Sequence, residues 1–171
     1  GAHVTLVLGP SSVPVSDTNI QVIHVTTAQQ MYDAVHQYYE TTNIAICSAA
    51  VADFKPVSVL DQKIKKKTGE GLSFDLEPTK DILASLGLQK KNQFLVGFAL
   101  ETQNEIENSK KKLEKKNLDL IVLNSLQDKG AGFKKETNKI SIIDKFENIY
   151  EFSLAIFEDF VFRIQRILKY P

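Results

Sequence analysis

Short runs of aliphatic and β-branched residues alternate along this chain with stretches in which apolar positions recur every three or four residues. That is the pattern of strands interleaved with helices. Residues 3–8 (HVTLVL) are predicted as a buried strand stopped by Gly9-Pro10, and residues 20–25 (IQVIHV) as a second. Thr26 and Thr27, with Gln29 and Gln30 three residues on, signal a helix start of the capping-box kind. Met31, Ala34, Val35 and Tyr38 then follow at helical spacing. Residues 44–47 form the next predicted strand, ending at AAVAD.

Residues 55–71 carry prolines, glycines and lysines with little periodicity and are expected to be a long exposed loop. Leu72, Phe74 and Leu76 alternate as in a strand, and Thr79 is placed to cap a helix carrying Ile82, Leu83 and Leu86. Residues 94–98 read as a strand, 103–116 as a polar helix and 118–123 as a strand. Beyond them, residues 139–143 and 149–152 suggest a hairpin, and residues 154–168 place Phe157, Phe160, Val161, Ile164 and Ile167 at helical spacing. Strand and helix in series predict the α/β class: a Rossmann-like three-layer α/β/α sandwich with a mainly parallel sheet, closed by a C-terminal hairpin and helix.

With 171 residues, the chain is expected to be a single domain with one core. Its 21 basic residues balance 21 acidic ones, so bulk charge gives no reason to expect nucleic acid or a membrane surface as partner. Cationic chemistry must then be local. No apolar run approaches the roughly 20 residues of a membrane span, no signal peptide opens the chain, and the lone Cys47 fits a reducing compartment, so a cytoplasmic location is expected.

Candidate chemistry gathers at predicted strand ends, where open α/β sheets bind ligands. In AAVADF, Ala49, Ala50 and Ala52 let a ligand approach the backbone, and Asp53 can accept hydrogen bonds or help hold a metal; a tight turn with a capping aspartate reads the same way. KIKKK begins at Lys63, ten residues after Asp53. Lysine runs are usually solvated, yet a flexible lysine can also close over a triphosphate and neutralise departing pyrophosphate. TKDI (Thr79, Lys80, Asp81, Ile82), followed by Leu83, would open a helix and offer first-turn amides to a base or phosphate, or be an ordinary cap. Phe98 in GFALET suits either stacking on a base or the core. Lys112 and Lys116 lie four apart, on one face of a predicted helix, as phosphate contacts or as a solvated face.

In this order and spacing the four motifs AAVADF-KIKKK, TKDI, GFALET and KKKLEKKNLDLIVLN resemble the phosphopantothenoylcysteine synthetase (phosphopantothenate-cysteine ligase) domain of the bacterial coenzyme A biosynthesis bifunctional protein. TKDI and GFALET depart from that family's usual NPDI and GFAAET. The resemblance implies a Rossmann-like ligase that joins 4′-phosphopantothenate to L-cysteine through a CTP-derived acyl-cytidylate, with CTP as substrate, Mg2+ on the phosphates and a homodimeric assembly. It makes Lys63 catalytic, and Ala49, Asp53, Lys63, Lys80, Asp81, Ile82, Leu83, Phe98, Lys112 and Lys116 nucleotide-binding. It assigns no protein metal ligand. The segment opening at Gly1 resembles the family's second strand, so residues 1–171 are expected to be one synthetase-like domain without the family's first strand-helix unit, which carries an N-S-S-G-K type sequence. Two other readings are a nucleotide-binding or interaction domain without catalysis and a nicotinamide-dependent reductase; the chain has no G-x-G-x-x-G turn for the latter.

Overall fold

The computed structural model describes residues 1–58, 62, 71–125 and 138–155. Its elements run β1 (Val4–Leu8), β2 (Ile20–His24), α1 (Ala28–Tyr39), β3 (Ile44–Cys47), β4 (Phe54–Pro56), β5 (Leu76–Pro78), α2 (Ile82–Gln89), β6 (Phe94–Glu101), α3 (Glu105–Lys115), β7 (Leu120–Ser125), β8 (Asn138–Asp144) and β9 (Ile149–Ala155). The chain is a mixed α/β fold in two compact units, Gly1–Glu40 with Ala49–Ile82, and Thr41–Ser48 with the chain from Leu83 onward. No helix among the described residues is long and apolar enough to cross a membrane.

In the first unit β1 and β2 pair in parallel from Val4 opposite Ile20 to Leu8 opposite His24. The predicted capping box is formed: the Gln30 amide donates to Thr27 Oγ1 at 3.1 Å while Gln30 Oε1 accepts from the Thr27 amide at 3.1 Å. Two orphan donors of α1 are thereby satisfied. The expected loop over 55–71 needs correction at its start, because Phe54–Pro56 is a strand antiparallel to Leu76–Pro78. Conversely the strand expected from Leu72 begins only at Leu76, and Leu72, Phe74 and Leu76 are all exposed. Their alternation has no ladder to serve, since the partner strand is three residues long and ends at Pro56.

The second unit holds a five-stranded sheet ordered β3-β6-β7-β8-β9. β3, β6 and β7 are mutually parallel, and β8 and β9 follow in antiparallel steps, so β8 alone opposes the common direction. Burial on both faces of the inner strands β6, β7 and β8 explains why these read as continuous apolar runs, whereas Ile44 and Ile46 of the edge strand β3 are exposed. Val96, Leu120, Val122, Ile140 and Ile142 form the core of one face, with Phe94, Phe98 and Phe152 packed against it. On β6 the alternate residues Leu95, Gly97 and Ala99 are buried as well. A Cβ on Gly97 would lie 2.7 Å from Leu83 and 2.9 Å from Leu118, so the glycine lets the α2 side chain Leu83 press onto the sheet.

α3 ends in a Schellman motif: the Asn117 amide donates to the Glu114 carbonyl at 3.0 Å and the Leu118 amide to the Leu113 carbonyl at 2.9 Å. Asn117, at φ 51°, supplies the left-handed residue this closure requires. Leu118 therefore belongs to the helix cap, and β7 starts two residues later than the apolar run suggests. At the far end β9 continues through Ala155, which corrects a helix start at Leu154; the rest of that expected helix lies outside the described residues.

Asp119 ties these pieces together. Its carboxylate, 5% exposed, accepts from Lys90 Nζ at 2.7 Å, Lys145 Nζ at 3.1 Å and the Leu95 amide at 2.8 Å. Burial, the largest single influence, opposes the charge, but the hydrogen bonds from Lys90, Leu95 and Lys145 together hold the carboxyl below its usual range. A depressed folded-state value means that Asp119 contributes stability above the unfolded pKa of about 3.9, lost as pH falls through the folded value. Asp119→Ala should cost about 3 kcal/mol at neutral pH by leaving the Leu95 amide unpaired and removing the countercharge of Lys90, which keeps the Asn117 carbonyl at 2.8 Å, and that cost should shrink on acidification. Denaturant melts of parent and variant at pH 7 and pH 3 check both statements; a cost independent of pH contradicts the assignment.

Candidate functional site

The first group of candidate residues, as far as Ile82, lies in the first unit. Val51 donates its amide to the Ala49 carbonyl at 3.0 Å, folding AAVAD into a tight turn that leaves Ala49, Ala50, Ala52 and Asp53 exposed. TKDI is fastened to that turn: the Thr79 amide donates to the Asp53 carbonyl at 2.9 Å and Thr79 Oγ1 to the Ala52 carbonyl at 2.5 Å. Thr79 is thus not the cap of α2, which starts three residues later at Ile82; its hydroxyl is spent on the neighbouring motif. Two motifs distant in sequence are in this way one surface, with the Asp53 carboxylate on it.

Lys80 is exposed, and its ammonium stands 4.6 Å from the centroid of the Tyr32 ring. Tyr32 in turn stacks on His36, with centroids 3.9 Å apart and planes 21° apart. A cation over an aromatic face gains on the order of 0.5–1 kcal/mol at an exposed site, so α1 gives this lysine a resting place. Asp81 is exposed, whereas the Ile82 side chain is buried and Leu83 packs toward Gly97. Those two apolar side chains are committed to packing, which makes the backbone of the first turn of α2 their point of contact for any ligand. Lys63 lies outside the described residues.

The second group lies in the second unit, where β6 passes into α3. Phe98 is half-buried against the core of the sheet, so its ring is a wall of the fold before it is a stacking platform. Glu101 ends β6, and Lys112 Nζ donates to its Oε1. Lys112 is 45% exposed and Glu101 only 14%. Lys116 is the C-cap of α3, with its amide bonded to the Lys112 carbonyl at 3.0 Å. The two lysines therefore share the end of α3, but Lys116 sits where the helix is already turning away (φ −101°, ψ 10°) rather than on the regular face expected.

Glu101 is the residue that the spacing argument passed over. The available signal was an acidic residue closing an apolar strand at the ligand-binding end of a parallel sheet, where a carboxylate needs a partner. The two lysines that precede Lys112 on α3 are engaged elsewhere, Lys110 with Glu147 at 2.5 Å and Lys111 with Glu107 at 2.6 Å. Among the described residues there is no group of three or more His, Cys, Asp or Glu placed to hold a metal ion.

Comparison with known proteins identifies the family of the chain. Residues 1–161 match the family model described as DNA/pantothenate metabolism flavoprotein C-terminal domain. A protein named cysteine/cysteine sulfinic acid decarboxylase, from an unknown prokaryotic organism, is 55% identical over 90% of this chain and 43% of its own length. The coenzyme A biosynthesis bifunctional protein CoaBC of Bacillus subtilis (strain 168) is 46% identical over 85% of this chain and 36% of its own length. The chain thus spans about two fifths of the curated relatives it matches. The crystal structure of the C-terminal domain of a CoaBC protein superposes with a TM-score of 0.79 at 34% identity, covering 99% of this chain and 76% of that one. On the extent of these matches, the chain belongs to the DNA/pantothenate metabolism flavoprotein C-terminal domain family.

Proposed function

We propose that this chain is a phosphopantothenate-cysteine ligase domain of coenzyme A biosynthesis, acting through CTP. In the first step the carboxylate of 4′-phosphopantothenate attacks the α-phosphorus of CTP, forming an acyl-cytidylate and releasing pyrophosphate. In the second the amine of L-cysteine attacks the acyl carbon, forming the amide and releasing CMP and a proton. The observation that supports this reading most is the fastening of TKDI to AAVAD through Thr79, across 27 residues of sequence. It presents small side chains, a carboxylate and a helix start together, as a polar ligand with a reacting acyl group requires.

In this reading the nucleotide-binding residues of the first unit are Ala49, Asp53, Lys80, Asp81 and Ile82, and those of the second unit are Leu83, Phe98, Lys112 and Lys116. Lys63 is the catalytic lysine that meets charge developing on the departing pyrophosphate. Mg2+ fits such a donor set as a triphosphate-borne ion, since it commonly takes one or two carboxylates from the protein and completes its shell with phosphate oxygens and water. When bound, it would reduce the negative charge that the attacking carboxylate meets. A cytoplasmic homodimer belongs to the same proposal.

A second reading is favoured by the 55% identical relative named as a decarboxylase acting on cysteine or cysteine sulfinic acid. There the chain would be part of a protein that removes CO2 from cysteine-type substrates and would have no use for CTP. Calorimetry with CTP and Mg2+, against ATP and NADPH, separates the readings. The ligase reading predicts selective CTP binding, weakened roughly tenfold by Phe98→Ala if the ring faces the base; a folded chain indifferent to CTP contradicts it.

A further inference from the structure

Lysines on exposed helix faces are poor anchors for a ligand by themselves, because a four-carbon stem leaves the ammonium free to wander. Lys111 and Glu107 illustrate the ordinary case: they pair four residues apart on the surface of α3, with side chains 69% and 65% exposed. Lys112 differs from it in kind. Its ammonium reaches from the helix to the last residue of β6, and the carboxylate it meets there is largely withdrawn from water.

The turn between the two residues is itself fixed. The Asn108 side-chain amide donates to the Gln103 carbonyl at 2.9 Å and stands 3.5 Å from Glu101 Oε2, while the Asn108 backbone amide donates to the Asn104 carbonyl at 2.9 Å. Asn104 holds a left-handed conformation (φ 47°, ψ 41°), which the short polar asparagine tolerates. A sheltered carboxylate in a tied turn is a stationary acceptor. An ammonium has three donors, and one of them is taken by Glu101.

We propose that Glu101 is a positioning residue: its carboxylate holds Lys112 at the carboxyl end of β6 so that the remaining ammonium donors meet a phosphate group of a bound nucleotide. This inference rests on the nucleotide-binding role given to Lys112 above. Glu101 touches no ligand in this account; it acts through Lys112, and its negative charge is offset by the lysine it orients. The alternative physics is opposite in sign, because a carboxylate that merely stood near the phosphates would repel them, and its removal would tighten binding.

The test is CTP affinity, with KM and kcat, for the full chain carrying Glu101→Gln, Glu101→Asp, Lys112→Ala and the Glu101→Gln/Lys112→Ala pair. The expected result is about tenfold weaker CTP binding for Glu101→Gln and for Lys112→Ala, as for a misplaced binding group, with KM rising more than kcat falls. Glu101→Asp should recover part of the loss. The double variant should bind no more weakly than Lys112→Ala alone, since Glu101 has nothing left to orient. A purely structural Glu101 would instead lower the melting temperature and multiply its loss onto that of Lys112→Ala, which overturns the proposal, as does a tighter-binding Glu101→Gln. If Lys112→Ala weakens CTP and Glu101→Gln does not, the positioning role alone fails; if Lys112→Ala leaves CTP affinity untouched, the nucleotide-binding role of Lys112 fails and the positioning role with it.

Discussion

Gly87→Ala is expected to destabilise the second unit by about 3 kcal/mol, a drop in melting temperature of roughly 10 °C. Glycine inside a helix normally costs about 1 kcal/mol relative to alanine, so on propensity alone the substitution would help α2. The structure reverses the sign. A Cβ on Gly87 would stand 1.9 Å from the Lys116 carbonyl oxygen and 2.8 Å from its carbon, which are backbone atoms of the α3 cap and not movable methyl groups. Asn117 reinforces the approach by donating its side-chain amide to the Gly87 carbonyl at 3.0 Å. Relief of the clash must push α2 away from the Schellman turn that carries Lys116, so the variant should also lose nucleotide affinity. Two controls grade the effect. Gly97→Ala meets only leucine methyls and should cost less, and Gly9→Ala places its Cβ 3.5 Å from the Met31 methyl, an ordinary contact. Scanning calorimetry of the three variants checks the order, and a Gly87→Ala protein no weaker than Gly97→Ala contradicts the packing described.

Lys63→Ala is expected to lower kcat about 10²–10³-fold, the usual loss when one preorganised group aimed at developing charge is removed. The expectation comes from the position of Lys63 ten residues beyond Asp53 and from the family resemblance. Lys65→Ala, Lys66→Ala and Lys67→Ala supply the comparison, because a solvated lysine run should respond about equally at every position. Single-turnover pyrophosphate release from each variant separates the two cases. A loss confined to Lys63 supports a specific catalytic lysine, and four similar, small losses overturn it.

Local signals were read correctly where local chemistry decides. Ile44–Cys47 is a strand with the boundaries its apolar run suggests, and the Thr27–Gln30 box opens α1 as the spacing requires. The α/β class followed from the same periodicities. The departures share a physical origin, competition from a partner that sequence spacing does not reveal. Thr79 has the chemistry of a helix cap, but the Ala52 carbonyl claims its hydroxyl. Leu118 continues an apolar run, but the Leu113 carbonyl claims its amide for the end of α3. Leu72 and Phe74 alternate like a strand, but the opposing segment pairs only as far as Leu76.

The candidate site was legible in the same uneven way. Its motifs could be found because small-residue turns, lysine clusters and strand ends are visible in one dimension. The resemblance gives Ile82, Leu83 and Phe98 to nucleotide contact, whereas Ile82 is buried and Leu83 and Phe98 are half-buried against their neighbours, a packing that alternation alone cannot reveal. Glu101 and Lys112 stand eleven residues apart across a strand-to-helix turn, a separation with no periodic signature, so their pairing emerges only when the turn is folded.

The most direct test of the ligase reading is pyrophosphate release from CTP and Mg2+ by the folded full chain, before and after addition of 4′-phosphopantothenate, with cysteine withheld. The account predicts release that depends on phosphopantothenate, exceeds that from ATP, and is followed by an amide product once cysteine is added. Pyrophosphate release that ignores phosphopantothenate, or its absence from a chain that binds CTP, would contradict the assignment of this domain as the enzyme that activates the pantothenate carboxylate.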